Sequence, residues 1–160
     1  MQTKDELEDW YKIPDQWQYF QLEDDEIRKQ KILGMLDQDY NNALDIGCGE
    51  CFLTRHLPAK QIYGIELSDI ASSRFPPNVT RITQPECHTT YDLVISTGTM
   101  YQQYDHNLMY GYIIEAASKH ILIAGMKEWI IPKNYGTIIN QIEFPYRGLT
   151  QIVTLYQAHG

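Results

Sequence analysis

Short apolar runs alternate with amphipathic stretches through most of this chain, and the alternation predicts its elements. From Asp24, an acidic start followed by Ile27, Ile32, Leu33, Met35 and Leu36 predicts an amphipathic helix with Asp24 as N-cap, its acidic first turn complementing the helix dipole. Asp37 to Asn42 reads as a loop. Ala43 to Ile46 predicts a short buried strand that ends in Gly47-Cys48-Gly49. Phe52, Leu53 and Leu57 then recur at helical spacing and predict a helix over Cys51 to Leu57. Gln61 to Leu67, rich in β-branched and aromatic residues, predicts a second strand feeding a helix at Ser68-Asp69, which Pro76 and Pro77 close. Val79 to Thr83 predicts a third strand and Tyr91 to Ser96 a fourth that is almost continuously apolar. Met109, Ile113, Ala116 and Ala117 mark a helix capped at Asn107, and Ile121 to Ala124 is the fifth strand.

The end of the chain has a different pattern. Thr137 to Phe144 and Leu149 to Gln157 are long β-prone runs joined by Pro145-Tyr146-Arg147-Gly148, which predicts a hairpin. The fold class expected is therefore α/β: a doubly wound, mostly parallel, seven-stranded sheet with helices on both faces, ending in an antiparallel hairpin. No repeat or linker divides the pattern, so residues 1–160 are expected to form one domain, with 1–36 as an N-terminal lid and helix.

Composition narrows the function classes. Thirteen Lys and Arg against 21 Asp and Glu give a formal charge of −8, which disfavours a phosphate backbone as substrate. Acidic residues crowd the start (Asp5, Glu6, Glu8, Asp9) and recur from Glu23 to Glu26. The leader reads as a solvated, partly frayed segment or as an attractor of cationic substrates. No apolar run is long enough to span a bilayer and no signal-peptide order is visible, so a cytoplasmic location and no membrane association are expected. The three cysteines are expected to be free thiols, as in a reducing compartment.

The chemistry concentrates in Asp45-Ile46-Gly47-Cys48-Gly49-Glu50-Cys51. Glycines after a strand let the backbone turn sharply and let a ligand approach it, and free N–H groups behind such a turn favour a carboxylate or phosphate. Glu66 ends the next strand, about 20 residues beyond Asp45, where an acidic side chain would meet the hydroxyls of a ribose. A dinucleotide fingerprint needs a further glycine where Phe52 stands, which weakens a pyrophosphate reading.

Asp-x-Gly-x-Gly, an acidic residue closing strand two and Tyr-Asp-Leu-Val-Ile in strand four together resemble the class I S-adenosylmethionine-dependent methyltransferases, over about Tyr40 to Tyr156. The resemblance implies S-adenosylmethionine as cofactor. It would place the methionine part on backbone at Gly47, Cys48 and Gly49, with Asp45 organising the loop and approaching the ligand's amino group. Glu66 would hold the ribose hydroxyls, Leu67 would cover one face of the adenine, and Gln84, chosen over Glu86, would meet its amino group. Cys51 replaces a glycine common in the family, a change expected to be tolerated at ordinary dihedrals. The acidic-Pro-Pro-Tyr signature of amide and adenine methylation is absent. Ser96-Thr97-Gly98-Thr99 stands there instead, and Ser96 is taken as lining the cofactor site. Asp15-Gln16-Trp17-Gln18-Tyr19 with Glu26 and Arg28-Lys29 is similar to the start of nodulation-type small-molecule N-methyltransferases. Trp17, Tyr19 and Phe20 then form either an aromatic lid over the sulfonium or the packing of a helix onto the domain.

Tyr101, Tyr104, Asp105 and His106 follow strand four, where an acceptor would approach the methyl group, and Tyr101, Tyr104 and His106 are the candidate catalytic residues. Trp129 to Pro132, and Arg147 with Tyr146, read as packing and surface positions with an alternative part in the substrate pocket or a contact. Cys48-x-x-Cys51, with Cys87 and His88 as a second cluster, has the spacing of half a zinc site, but no metal is expected. The function implied is methyl transfer by direct displacement to a small-molecule acceptor, an amine or hydroxyl, with the acidic balance favouring an amine. A non-catalytic S-adenosylmethionine-binding or partner subunit is the alternative, and an NAD or nucleotide-sugar domain a third reading. The oligomeric state stays open.

Overall fold

A computed structural model describes residues 2–86 and 89–159. Two helices come first, α1 (Lys4–Tyr11) and α2 (Glu23–Gly34), followed by β1 (Tyr40–Ile46), a 3-10 turn (Thr54–His56) and β2 (Ala59–Ile65). Then come α3 (Asp69–Ser72), β3 (Val79–Ile82), β4 (Tyr91–Thr97), α4 (His106–Ala116), β5 (Ala117–Met126), β6 (Thr137–Tyr146) and β7 (Leu149–Gln157). The strands make one sheet in the order β3-β2-β1-β4-β5-β7-β6, parallel from β3 to β5, with β7 antiparallel to both β5 and β6. This is the α/β sheet with a terminal hairpin that the pattern predicted. The order reverses between β1 and β4, so their carboxyl ends open a crevice where open α/β sheets bind ligands.

Leu93 and Ile95 face one cluster of buried residues, with Leu53, Leu57, Leu122 and Val153, while Leu44, Val94, Ile113, Ile121 and Ile123 belong to the other. Burial on both faces explains why β4 and β5 read as continuous apolar runs. The β6–β7 hairpin turns on Arg147 and Gly148, both at positive φ (46° and 80°), a two-residue turn whose twist suits the strands. Pro145 and Tyr146 belong to the strand rather than to the loop.

Several local expectations are corrected. The leader is not frayed: Thr3 and Glu6 form a capping box that starts α1, and α1 packs on α3 with Tyr11 buried. The N-cap of α2 is Leu22, because the chain turns earlier, and the Asp24 carboxylate instead accepts from the backbone N–H of Arg147 at 2.8 Å. Ile27 is exposed, and the inward face of α2 is Asp25, Arg28 and Ile32. The helix expected over Cys51 to Leu57 is a single 3-10 turn. Cys51 stands at φ +64°, outside the helical region, and Leu57, held extended before Pro58, ends it. Cys51 therefore lacks the ordinary dihedrals expected of it. Asp105, not Asn107, caps α4 by accepting from Leu108 N–H at 3.2 Å. Trp129, after β5, lies in a turn with its ring exposed. Among the described residues, no helix is long and apolar enough to cross a membrane.

Candidate functional site

Asp45 is placed at the carboxyl end of β1 by its pairing with Gly64 of β2 and Ile95 of β4. Its side chain is buried; Oδ2 accepts from the Thr54 hydroxyl at 2.7 Å, while Oδ1 has no hydrogen-bond partner among the described residues. Burial raises its pKa to about 7, opposed by the Thr54 hydrogen bond and the nearby Arg28 charge and reinforced by the Glu66 charge. A carboxylate kept from water with a free lone pair is a prepared acceptor for a cation or an N–H group.

The loop after β1 turns on Gly47 (φ +79°) and Gly49 (φ +57°). A Cβ on Gly47 would lie 2.5 Å from Thr99 Cγ2, and one on Gly49 3.0 Å from the Tyr11 hydroxyl, so both positions need glycine for space as well as for dihedrals. Glu66, buried just beyond β2, ties this loop to the next one. Its Oε1 accepts from Gly49 N–H at 2.9 Å and its Oε2 from Ser68 N–H at 2.8 Å. Burial raises the Glu66 pKa, and these backbone bonds oppose the rise. Each oxygen retains a further lone pair.

The N-terminal segment lies along the loop. Asp15 N–H donates to Glu50 Oε1 at 3.0 Å, and Glu50 also pairs with Arg74 at 3.1 Å. Tyr19 stacks near Phe52 with ring centroids 6.0 Å apart, Phe20 meets Phe52 edge-on at 4.9 Å, and Trp17 lies 4.7 Å from Trp10. Arg147 in the hairpin turn donates to the Trp17 carbonyl at 2.6 Å. Arg147 also pairs at 2.6 Å with Asp25, which the Tyr146 hydroxyl bonds as well.

Tyr101 and Tyr104 follow β4, and the Tyr101 hydroxyl accepts from Met126 N–H at 2.8 Å. Burial raises the pKa of Tyr11, Tyr19, Tyr101 and Tyr104. The Glu66 charge adds to the rise at Tyr11 and Tyr104. The structure therefore brings Asp45, Gly47, Cys48, Gly49, Glu66, Trp17, Tyr19, Tyr101 and Tyr104 to one end of the sheet. Ser96 lies beneath them, fully buried, with its hydroxyl donating to the Ile46 carbonyl at 2.8 Å and bonded to Thr99. Leu67 and Gln84 are exposed at one side, Gln84 lining a cavity of about 390 Å³ with Arg81, Ile82, Thr83, Pro85 and Glu86. His106 opens α4, and its buried Nδ1 has no partner among the described residues.

Sequence reasoning gave no individual role to Tyr11, Glu50, Thr54 or Arg28. Thr-x-x-Glu at residues 3–6 is a capping-box signal for the helix that ends at Tyr11. Asp25, Arg28 and Ile32 are at helical spacing, but two charges on one helix face read as solvated, and only the structure shows that face to be buried. Cys48 and Cys51 have Sγ atoms 3.8 Å apart. Cys87 and His88, the other half of the zinc alternative, lie outside the described residues. Among those described, no group of three or more metal-ligating side chains stands together.

The fold defines a class. No protein-family model and no curated protein sequence matches the chain. Solved structures do match across almost its whole length, at 12–13% identity. Magnesium protoporphyrin IX methyltransferase from Synechocystis PCC 6803, with bound S-adenosylmethionine, superposes with a TM-score of 0.73 at 13% identity, covering 99% of this chain and 98% of that one. The 1,6-didemethyltoxoflavin-N1-methyltransferase of Burkholderia thailandensis, with bound 1,6-didemethyltoxoflavin and S-adenosylhomocysteine, gives 0.72 at 12% identity, covering 98% and 87%. A putative methyltransferase in complex with the Trm112 methyltransferase activator of Haloferax volcanii gives 0.69 at 12% identity, covering 99% and 98%. This chain has the class I S-adenosylmethionine-dependent methyltransferase fold, as the motifs led one to expect.

Proposed function

We propose that this chain binds S-adenosylmethionine at the β1–β4 crevice and transfers its methyl group to a small-molecule acceptor. The observation that carries the reading is the pairing of Asp45, with its unpartnered buried Oδ1, and Glu66, fixed against the Gly47–Gly49 loop. These residues fit the two polar ends of the ligand. The Asp45 oxygen would accept from the ammonium of the methionine part, and Glu66 from the ribose hydroxyls. Backbone at Gly47, Cys48 and Gly49 would follow the chain between them, and Leu67 and Gln84 would border the adenine. Trp17 and Tyr19 would cover the reacting end, where π faces suit a sulfonium. Ser96 would act beneath the ligand, holding β4 to the end of β1 through the Ile46 carbonyl.

When bound, S-adenosylmethionine supplies a methyl electrophile: the acceptor's lone pair bonds to the methyl carbon as the carbon–sulfur bond breaks and leaves its electron pair on sulfur. The protein's share is alignment and exclusion of water. Tyr101 and Tyr104, beside the carboxyl end of β4, would orient the acceptor, with His106 at the rim. The structural similarity to methyltransferases named for small-molecule acceptors supports a small acceptor.

Calorimetric titration with S-adenosylhomocysteine tests the reading. Wild type should bind saturably and Glu66→Ala should lose about 1.5 to 3 kcal/mol of affinity, the range for hydrogen bonds to a charged group. Binding that ignores Glu66, or no binding, would remove the reading. Tight binding without turnover on an acceptor panel would leave a non-catalytic binding subunit.

A further inference from the structure

Arg28 is a cation in an unusual place. It lies on the inward face of α2 and is 5% exposed, yet among the described residues it forms no ion pair. Its nearest acidic neighbour on the inward helix face, Asp25, is already bound by Arg147 through Nε at 3.2 Å and Nη2 at 2.6 Å and by the Tyr146 hydroxyl. Among the described residues the Arg28 side chain makes one hydrogen bond, from Nε to Gln151 Oε1 at 2.9 Å. The guanidinium carbon lies 5.9 Å from the centroid of the Tyr19 ring and 5.7 Å from that of Tyr146. A buried guanidinium normally finds a carboxylate or phosphate for its forked N–H groups, because an unpaired buried charge is costly.

The position of this cation relates it to the site. Gln151 pairs with Met126 at the carboxyl end of β5, and Met126 N–H bonds the Tyr101 hydroxyl, so Arg28 stands on the acceptor side of the crevice. Its charge reaches the Asp45 carboxyl and the hydroxyls of Tyr19 and Tyr101. Asp25 is held by Arg147 and Tyr146, and the Asp24 carboxylate accepts from the Arg147 backbone N–H, so among the described residues neither of these acids forms an ion pair with Arg28.

We propose that Arg28 is the anion-binding residue of the acceptor site and that the acceptor is a small aromatic carboxylate, its carboxylate on the guanidinium and its ring among Tyr19, Tyr101 and Tyr146. This rests on the methyltransferase reading above and deepens it. The nucleophile can still be an amine or hydroxyl elsewhere on the acceptor. The carboxylate is what the protein grips, and bidentate geometry explains an arginine in preference to a lysine.

The test uses 2-naphthoate and its neutral isostere 2-naphthamide as probes, titrated by ligand-observed NMR into the full chain with and without saturating S-adenosylhomocysteine. Wild type should prefer the carboxylate by roughly tenfold or more, the scale of a charged hydrogen-bonded pair. Arg28→Gln should lose that preference while still binding the amide as wild type does, which shows an intact pocket, and Arg28→Lys should restore part of it. Equal binding of the two probes to wild type needs no variant to interpret and overturns the proposal. So does a preference that survives in Arg28→Gln, or no naphthoate binding up to about 10 mM, beyond which an affinity has no recognition value. Failure of S-adenosylhomocysteine to bind would instead remove the underlying methyltransferase reading, and the probe preference measured without it would still judge Arg28 alone.

Discussion

Asp45→Asn should make the protein more stable at pH 8 while weakening its ligand. Burial raises the Asp45 pKa to about 7, against an ordinary 3.8. Below about pH 4 the carboxyl is protonated in both folded and unfolded chains and contributes no difference. Between about pH 4 and 7 the unfolded chain ionises while the folded one holds its proton, so stability falls as pH rises; above 7 the full cost is present. At about 1.4 kcal/mol per pKa unit, a shift of this size amounts to about 4 kcal/mol. An amide keeps the acceptor for Thr54 but leaves an N–H group where Oδ1 had no partner. Taking about 1 to 3 kcal/mol for that group leaves a net gain of about 1 to 3 kcal/mol in Asp45→Asn at pH 8. For a chain of this length the gain is roughly 2 to 12 °C in Tm. The assay is thermal unfolding of both proteins from pH 5 to 9. The difference should open with rising pH and level off near 8. A flat difference, or a variant less stable than wild type at pH 8, would refute the assignment of Asp45 as a buried, costly carboxylate. Under the proposed function, the same group predicts that wild-type affinity for S-adenosylhomocysteine rises with pH up to about 7, by at most tenfold per unit, and that Asp45→Asn loses both the affinity and its slope.

Three further substitutions probe the frame. Arg147→Met strips the buried Asp25 of its cation, and because the Arg147 side chain is itself 28% exposed the loss should be nearer 2 kcal/mol than the full cost of breaking a buried pair, read as a Tm about 4 to 8 °C lower. An unchanged Tm would mean that Tyr146 alone suffices for Asp25. Gly47→Ala puts a Cβ 2.5 Å from Thr99 Cγ2 at φ +79°, and should cost about 2 kcal/mol in chemical denaturation. A neutral result would show that the loop rearranges freely. Thr3→Ala removes the capping box of α1 and should cost about 1 kcal/mol locally, seen as faster amide exchange in residues 4–11. No change there would mean that the contact of α1 with α3 holds the helix by itself.

The strands were legible because parallel strands covered on both faces become apolar runs, as in β4 and β5, and the hairpin because Arg147-Gly148 interrupts two long β-prone segments. Asp45, the glycine turn and Glu66 were legible as a spacing. What spacing could not carry were contacts made across the chain. The N-terminus looked like solvated acid because its order depends on Glu50, Phe52 and Arg147, all far away in sequence. The apolar residues after Cys51 had helical spacing, yet a left-handed Cys51 and Pro58 leave room for one turn only. Apolar periodicity also turned attention to Ile27, when the inward residues of α2 include an aspartate and an arginine that hydrogen-bond to partners on β6, β7 and the turn between them.

The central claim is tested most directly by a crystal structure of the chain with S-adenosylhomocysteine. The account predicts the ligand across the carboxyl ends of β1 and β2, its ammonium on Asp45 Oδ1, its ribose hydroxyls on Glu66 and its sulfur turned toward Tyr101 and Tyr104. Ligand bound elsewhere, or a ribose that leaves Glu66 on its two backbone N–H groups alone, would contradict it.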